Sequence, residues 1–341
     1  MTANTRLQTV ALGLELLGSA ITVAESQQAP PVDFTKFSPW TAKADEGDYV
    51  LGPPYANAPE LTPKDGVPKG MVFHLTINST DSKMYPGISK TAPGTVVPYQ
   101  RRLTVYVPSQ YIAGKPAPLI VSQDSMGQGE LPTILDNMIA DHRLPPIVAV
   151  MIDSGGGDAQ GSERGLEYDT VSGKYAEFIE TEVLPKISQD CKVTFTKDPE
   201  GRMTMGGSSG AACAFTMAWF HPEWYHRVLS YSGTFVNQQS PLNRESPHGA
   251  WEYHENLILK TPAKPLRIWM HVGEMDNRYK DPESTFHNWV LANQRMAGVF
   301  KARKYHYQFV FARESGHVDG KVVRQTLPQA LEWVWRGYKA K

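Results

Sequence analysis

Cysteine is nearly absent from this 341-residue chain; only Cys191 and Cys213 occur. Two thiols exclude a disulfide-stapled scaffold, and no paired-cysteine spacing exists for a structural metal site. One disulfide or two free thiols are both open. A surplus of charge is also missing. The 34 Lys and Arg face 35 Asp and Glu, a net of -1, and no long basic run appears. Nucleic acid therefore has no electrostatic footprint here. Apolar runs long enough for a stable membrane span are lacking too. What remains is a chain that is 41% hydrophobic and 20% charged, enough for one large domain or two small ones. Its 15 Tyr, 8 Trp and 12 Phe suit either core packing or a carbohydrate or aromatic ligand.

The N-terminus reads as a targeting segment. Arg6 precedes LQTVALGLELLGSAITVA, which is apolar and rich in small residues. Residues 1–24 therefore fit a signal peptide cleaved after Ala24, interrupted only by Glu15. A secreted or periplasmic location follows as an expectation, with a cytoplasmic protein bearing a helical tail as the alternative. Residues 25–69 are dense in proline, which opposes regular ladders. They read as an extended arm anchored on the domain by Phe34, Trp40 and Tyr55.

Residues 70–341 read as one domain. MVFHLTIN and RRLTVYVP alternate like strands near an edge, whereas APLIVSQD and PPIVAVMID are continuous apolar runs, as in strands buried on both faces. LPTILDNMIADHR and YAEFIETEVLPKI have helical spacing. Further strands follow at RMTMG, RVLSYSG, PLRIWMHVG and HYQFVFA, alternating with helices at GAACAFTMAWF, STFHNWVLANQRMAGVF and VRQTLPQALEWVWRGY. This alternation predicts an α/β class with a mainly parallel central sheet and helices on both faces.

The strand-to-helix turn TMGGSSGAAC, Thr204–Cys213, holds G-x-S-x-G in one register, with Ser208 at its centre. A nucleophile on such a sharp turn projects above the carboxyl edge of the sheet. The glycines two residues either side leave room for the neighbouring strand and helix. Ser209 would then offer its backbone N–H to an oxyanion, aided by the positive end of the new helix. Partners should follow in the order acid, then histidine. His317 lies on the Gly-flanked loop RESGHVDG after the last strand. Asp276 is the favoured acid, three residues past the preceding strand, with Glu274 and Asp281 as alternatives. A second oxyanion donor is expected near Ser125 and Met126, where another strand ends.

The stretches EGRMTMGGSSGAACAFTMAWFHPEWYHRVLSYSG, GLEYDTVSGKYAEFIETEVLPKI and the closing GH…LPQALEWVWRGY resemble the enterochelin esterase-like branch of the α/β-hydrolase superfamily. That branch includes feruloyl and acetylxylan esterases and S-formylglutathione hydrolase. The resemblance covers roughly residues 70–340. It implies an α/β-hydrolase fold, a triad carried by Ser208, Asp276 and His317, and cleavage of small carboxylic esters with no metal or cofactor. A non-catalytic binding protein of the same fold is one alternative, and a peptidase or acyltransferase with the same triad is another.

The loop Asp153–Asp169 is long and glycine-rich, but it lacks the Lys-Ser/Thr of a phosphate-binding loop. Within it, Arg164 and Glu167 are candidates to orient substrate or to pair with each other. Residues 236–257 have no regular period and are read as a possible cap, with Trp251 and Tyr253 as substrate walls. His248 and His254 lie there too, but no third ligand has a suitable spacing, so no metal site is expected.

Overall fold

The computed structural model describes residues 32–89, 94–156 and 162–339; the signal-peptide reading lies outside them. In chain order the strands are β1 (Ser38–Pro39), β2 (Gly47–Leu51), β3 (Met71–Asn78), β4 (Gln100–Val107), β5 (Pro116–Ala117), β6 (Leu119–Gln123), β7 (Val148–Ile152), β8 (Thr194–Phe195), β9 (Arg202–Gly207), β10 (Arg227–Tyr231), β11 (Arg267–Gly273) and β12 (His306–Ala312). Ten of them form one sheet in the order β1-β2-β12-β11-β10-β9-β6-β7-β4-β3. All its neighbours pair in parallel except β3 with β4 and β4 with β7, so β4 alone runs against the other nine. The expected parallel sheet is therefore present, with MVFHLTIN at its edge.

The helices are α1 (Leu131–Ala140), α2 (Glu163–Tyr168), α3 (Lys174–Phe178), α4 (Leu184–Cys191), α5 (Ser209–Phe220), α6 (Ile258–Lys260), α7 (Trp289–Ala302) and α8 (Gly320–Trp335). A π-helical turn, Ile179–Val183, joins α3 to α4. α7 starts later than its sequence suggests. Its cap is Asn288, whose side chain accepts from the Leu291 amide at 2.9 Å, and a short 3-10 turn, Glu283–Thr285, occupies the stretch before it.

The apolar strand residues divide by parity, because successive side chains point to opposite faces. Val148, Val150 and Ile152 of β7 join a core with α3, α4, α5 and α7. Ala149 and Met151 join a second core with α1 and α8. A sheet buried on both faces explains the continuous apolar runs. Both cysteines are buried and free, which settles the open pairing question.

The arm departs from expectation. Its Pro-poor stretch supplies β2, which adds a full parallel ladder to β12. The anticipated anchors do hold it there. Phe34 stacks on Phe311 with centroids 5.6 Å apart, and the Trp40 indole donates to Gln308 Oε1 at 3.1 Å. Tyr55 donates its hydroxyl to the Arg313 carbonyl.

Two histidines sit fully inside the cores without a hydrogen-bond partner at either ring nitrogen, His271 on β11 and His254. Burial pushes them down to about 4 and about 3 respectively. The fold therefore holds the neutral rings, while the unfolded chain takes up protons below its ordinary value of about 6.5. Stability should fall with pH through that value and keep falling toward the folded ones. Between about pH 7.5 and pH 5 the loss should be on the order of 2 kcal/mol per histidine. Urea unfolding at the two pH values checks this. The His271→Leu variant should lose less across the interval, and an identical loss in both proteins would rule the histidine out as a cause.

Candidate active site

β6 and β9 lie side by side although β7 and β8 come between them in the chain, so the strand order reverses there. Such a switch point opens a crevice at the carboxyl ends of the strands. Three strands that end along it turn through non-glycine residues of positive φ: Asp124 and Ser125 after β6, Ser208 after β9 and Ser232 after β10.

Ser208 has φ 58° and ψ -130°, a sparsely populated conformation that costs on the order of 1–3 kcal/mol. Its own amide donates to the Tyr231 carbonyl at 2.9 Å, and its carbonyl accepts from the Thr234 amide at 3.1 Å. Those bonds hold the strain. A Cβ on Gly206 would come 2.5 Å from the backbone carbon and oxygen of Gly210, so that glycine is obligatory. Gly210 is less constrained, since a Cβ there would meet Gln123 Cβ at 3.1 Å.

The Ser208 hydroxyl lies 2.8 Å from His317 Nε2, and His317 Nδ1 lies 2.6 Å from Asp276 Oδ1. An ionised carboxylate only accepts. The Nδ1 proton therefore points to Asp276, and Nε2 is left to accept from Ser208. Asp276 is 1% exposed. Burial alone would raise its carboxyl. The His317 contact, the Ser232 hydroxyl and the Asn277 amide, which donates to it at 2.7 Å, outweigh that and hold it below the ordinary range. The two rival acids are committed elsewhere. Glu274 accepts from the Glu314 amide at 2.8 Å, and Asp281 lies 3.4 Å from Arg278. The loops of Asp276 and His317 pack closely, since a Cβ on Gly273 would meet the Ser315 and Gly316 carbonyls at 2.5 Å.

The cleft over these groups holds about 590 Å³. Met126, Trp289 and Val318 supply apolar wall; Asp124, Arg164, Gln238 and Asn277 supply polar wall. Arg164 points into it as expected, but its partner is not Glu167. It forks onto Asp124 with bonds of 2.7 and 2.9 Å. Trp289, the first residue of α7, stands edge-on to His317 at 6.2 Å between centroids and donates its indole N–H to Thr234 at 3.3 Å. Neither Trp289 nor Gln238 was anticipated from sequence. Trp289 looked like one apolar residue of a helix, and Gln238 sits in a stretch with no period.

Four expectations are corrected. Trp251 and Tyr253 are 0% exposed and do not wall the cleft. Tyr253 packs on Phe215 with centroids 5.0 Å apart and donates to Thr216 at 2.8 Å; Trp251 packs on Phe286. Val236, Ala250, Trp251 and Tyr253 of residues 236–257 are buried in the core shared with α5 and α7, whereas Leu242 is exposed. Glu167 is likewise buried, in an ion pair with Arg101, and accepts from the Gly155 amide at 3.1 Å. The amides of Ser125 and Met126 are occupied: Ser125 donates to the Ile152 carbonyl at the end of β7 and Met126 turns back to the Gln123 carbonyl, each at 3.1 Å. Ser209, as the first residue of α5, keeps an amide with no intrahelical acceptor. Finally, His248 does gain company. Ligand atoms of His248, Glu252 and Glu255 lie within 4.8 Å of one another. His254 is not part of that group.

Residues 95–334 match the sequence model of the family described as "Putative esterase". That span exceeds half of the chain. This chain belongs to the esterase family. Among solved structures, an enterobactin esterase from Shigella flexneri, crystallised in the presence of enterobactin, has a TM-score of 0.53 at 21% identity. The match covers 70% of this chain but only 55% of that one. A ferulic acid esterase has a TM-score of 0.57 at 19% identity, covering 79% of this chain and 98% of that one. The ferulic acid esterase of Anaeromyces mucronatus gives 0.55 at 12% identity, with coverages of 82% and 96%. No curated protein sequence matches the chain. The structural likenesses bear on the fold, which is of α/β-hydrolase type. Among the described residues no helix is long and apolar enough to cross a membrane.

Replacing one member of the buried ion pair strands the other charge. Glu167→Ala should destabilise the protein by about 3–5 kcal/mol in urea unfolding. It should leave KM for any hydrolysed ester within about threefold, because Glu167 is not on the cleft. A large KM rise at unchanged stability would return Glu167 to the substrate.

Proposed function

We propose that the protein is a serine esterase that cleaves carboxylic esters of small molecules through an acyl-enzyme. The observation that carries this reading is the continuous hydrogen-bonded line Ser208–His317–Asp276 at the floor of an open cleft. As the ester carbonyl approaches, Ser208 Oγ forms a bond to its carbon and the hydroxyl proton passes to His317 Nε2. Asp276 holds the ring by Nδ1 and stabilises the imidazolium. The Ser209 amide, at the positive end of α5, faces the developing oxyanion. The C–O bond to the leaving alcohol then breaks, and His317 returns the proton to that oxygen. Water then gives a proton to His317 Nε2 and its oxygen to the acyl carbon; the bond from that carbon to Ser208 Oγ breaks, the acid leaves, and His317 returns the proton to Ser208.

The walls argue for the substrate class. Trp289 and Met126 offer flat and polarizable surface to an aromatic or short acyl group. Arg164, Gln238 and Asn277 offer polar contacts to hydroxyls of an aromatic acid or a sugar. Long acyl chains would need a deep aliphatic tunnel, and among the described cleft residues only Val318 is aliphatic. The structural neighbours named above are an enterobactin esterase and ferulic acid esterases, which accords with aryl esters.

The test offers purified protein p-nitrophenyl acetate and butyrate, methyl ferulate, an acetylated sugar, a catecholate trilactone and p-nitrophenyl laurate. Short and aromatic acyl groups should be hydrolysed and laurate should not, with EDTA leaving the rates unchanged. Ser208→Ala should abolish turnover and fluorophosphonate labelling, whereas Ser209→Ala should keep labelling. His317→Ala should lose at least about 10³-fold in kcat, and Asp276→Asn should cost more than Glu274→Gln or Asp281→Asn. Retained labelling in Ser208→Ala, or preference for laurate, would overturn the assignment.

A further inference from the structure

A buried hydroxyl stands behind the nucleophile. Thr234, in the turn after β10, is 1% exposed and is not among the residues that line the cleft. Its Oγ1 lies 3.4 Å from Ser208 Oγ and 3.3 Å from the indole nitrogen of Trp289. Its amide is committed separately, to the Ser208 carbonyl at 3.1 Å. Asn293, one turn along α7, ties the two sides of this contact together. Its side-chain amide donates to the Gly233 carbonyl and to the Trp289 carbonyl, each at 2.9 Å.

The direction of the hydrogens follows from the two ends of the line. An indole only donates and an ionised carboxylate only accepts. Trp289 therefore gives its N–H to Thr234 Oγ1. At the far end Asp276 holds the Nδ1 hydrogen of His317, so Nε2 accepts from Ser208 Oγ. Ser208 has one hydroxyl hydrogen, and it goes to His317. The hydrogen between the two hydroxyls then comes from Thr234. Among the described residues, Ser208 Oγ is the acceptor for it. Trp289, Thr234, Ser208, His317 and Asp276 thus form a single line in which each group donates to the next.

We infer that the Thr234 hydroxyl, held and polarised by the Trp289 indole, is a further catalytic group that donates to Ser208 Oγ while that oxygen carries negative charge. The inference rests on the esterase reading above. Oγ gains charge twice. In acylation its proton passes to His317 as the bond to the ester carbon forms. In deacylation the electron pair of that bond returns to Oγ before His317 delivers the proton. Thr234 keeps its own proton in both steps. Of the two lone pairs on Oγ it occupies one and leaves the other for the acyl carbon. A hydrogen bond to a charged oxygen is shorter and stronger than one to a neutral hydroxyl. The 3.4 Å contact of the resting enzyme is long, so it stabilises the ground state little and tightens as charge develops. Stabilisation confined to the transition state raises kcat, not affinity.

Thr234→Val keeps the side chain's shape and the backbone bond to Ser208 but removes the hydroxyl. With p-nitrophenyl acetate its kcat should fall about tenfold while KM stays within about threefold, because Thr234 is not on the cleft. Fluorophosphonate should label Ser208 more slowly by about the same factor. Thr234→Ser restores the hydroxyl and should bring kcat back to within about threefold of the parent. Trp289→Phe keeps a ring but no donor, and its kcat should fall about threefold. The double variant should be no slower than Thr234→Val alone, since the indole acts through Thr234. The double variant also strands no indole N–H. If Thr234→Val fails to fold, the double variant compared with Trp289→Phe decides, and it should be slower by about threefold. An unchanged kcat in Thr234→Val, a loss confined to KM, a Thr234→Ser no faster than Thr234→Val, or fully additive losses in the double variant would each overturn the inference. All four leave the esterase reading standing as long as the parent is labelled at Ser208. A parent that is neither labelled nor active would overturn both.

Discussion

The close approach of β9 to the first turn of α5 is the constraint on which the site depends. Gly206 has no room for even one carbon against Gly210, and this contact is what allows Ser208 to take a backbone conformation that other surroundings would not support. The strain is held by bonds from the adjacent strand end, at Tyr231 and Thr234, not by the serine itself. Because β10 and β11 stand in parallel register with β9, the loops that follow them, and the loop after β12, emerge at the same edge. Asp276 and His317 reach Ser208 because parallel strands end together.

A second constraint is the disposal of charge around the loop after β7. Arg101, the fully buried cation of β4, is met by Glu167 from α2, and Glu167 in turn receives the Gly155 amide. Glu163 stands one turn before it, half unable to ionise: burial and the neighbouring Glu167 push it up to about 7. The next residue, Arg164, projects the other way and forks onto Asp124. Adjacent positions of one short helix thus carry a structural charge and a cleft charge, and the helical turn between them is what keeps the two networks apart.

Much of this was legible in sequence where a physical rule acts over a few residues. The parallel strands appeared as continuous apolar runs because both their faces are covered. Ser208 was set apart from Ser209 by its flanking glycines. Asp276 and His317 were located by their places after strands. What sequence did not reveal depends on which way a side chain turns. Trp251 and Tyr253 looked like ligand walls because aromatics in an aperiodic stretch fit either role, yet packing against Phe215 and Phe286 claimed them for the core. Glu167 and Arg164 were candidates to pair because both lie in one glycine-rich loop, but Glu167 pairs with Arg101 of β4 and Arg164 with Asp124 of the turn after β6. The occupied amides of Ser125 and Met126 belong to the same class, since the curl of a turn is not written in residue type alone.

The Pro-rich arm has a part in the site that its composition conceals. Proline confines regular structure to the stretch between the prolines, and there Gly47–Leu51 pairs with β12 across five residues. The ladder does not stop at the strand end. The Arg313 amide donates to the Leu51 carbonyl at 2.8 Å, and the Arg313 carbonyl accepts from Tyr55. Both hydrogen-bonding groups of that residue are thereby taken by the arm, four positions before His317. On the other flank Met275 donates its amide to Ser315 at 2.9 Å, and Val318 donates to the Ser232 hydroxyl at 2.9 Å. The histidine loop is therefore pinned from the arm, from the acid's loop and from the end of β10. A ring held on three sides keeps Nε2 facing Ser208 without needing a bound substrate to order it, so the arm contributes preorganisation to a site that none of its own side chains touches.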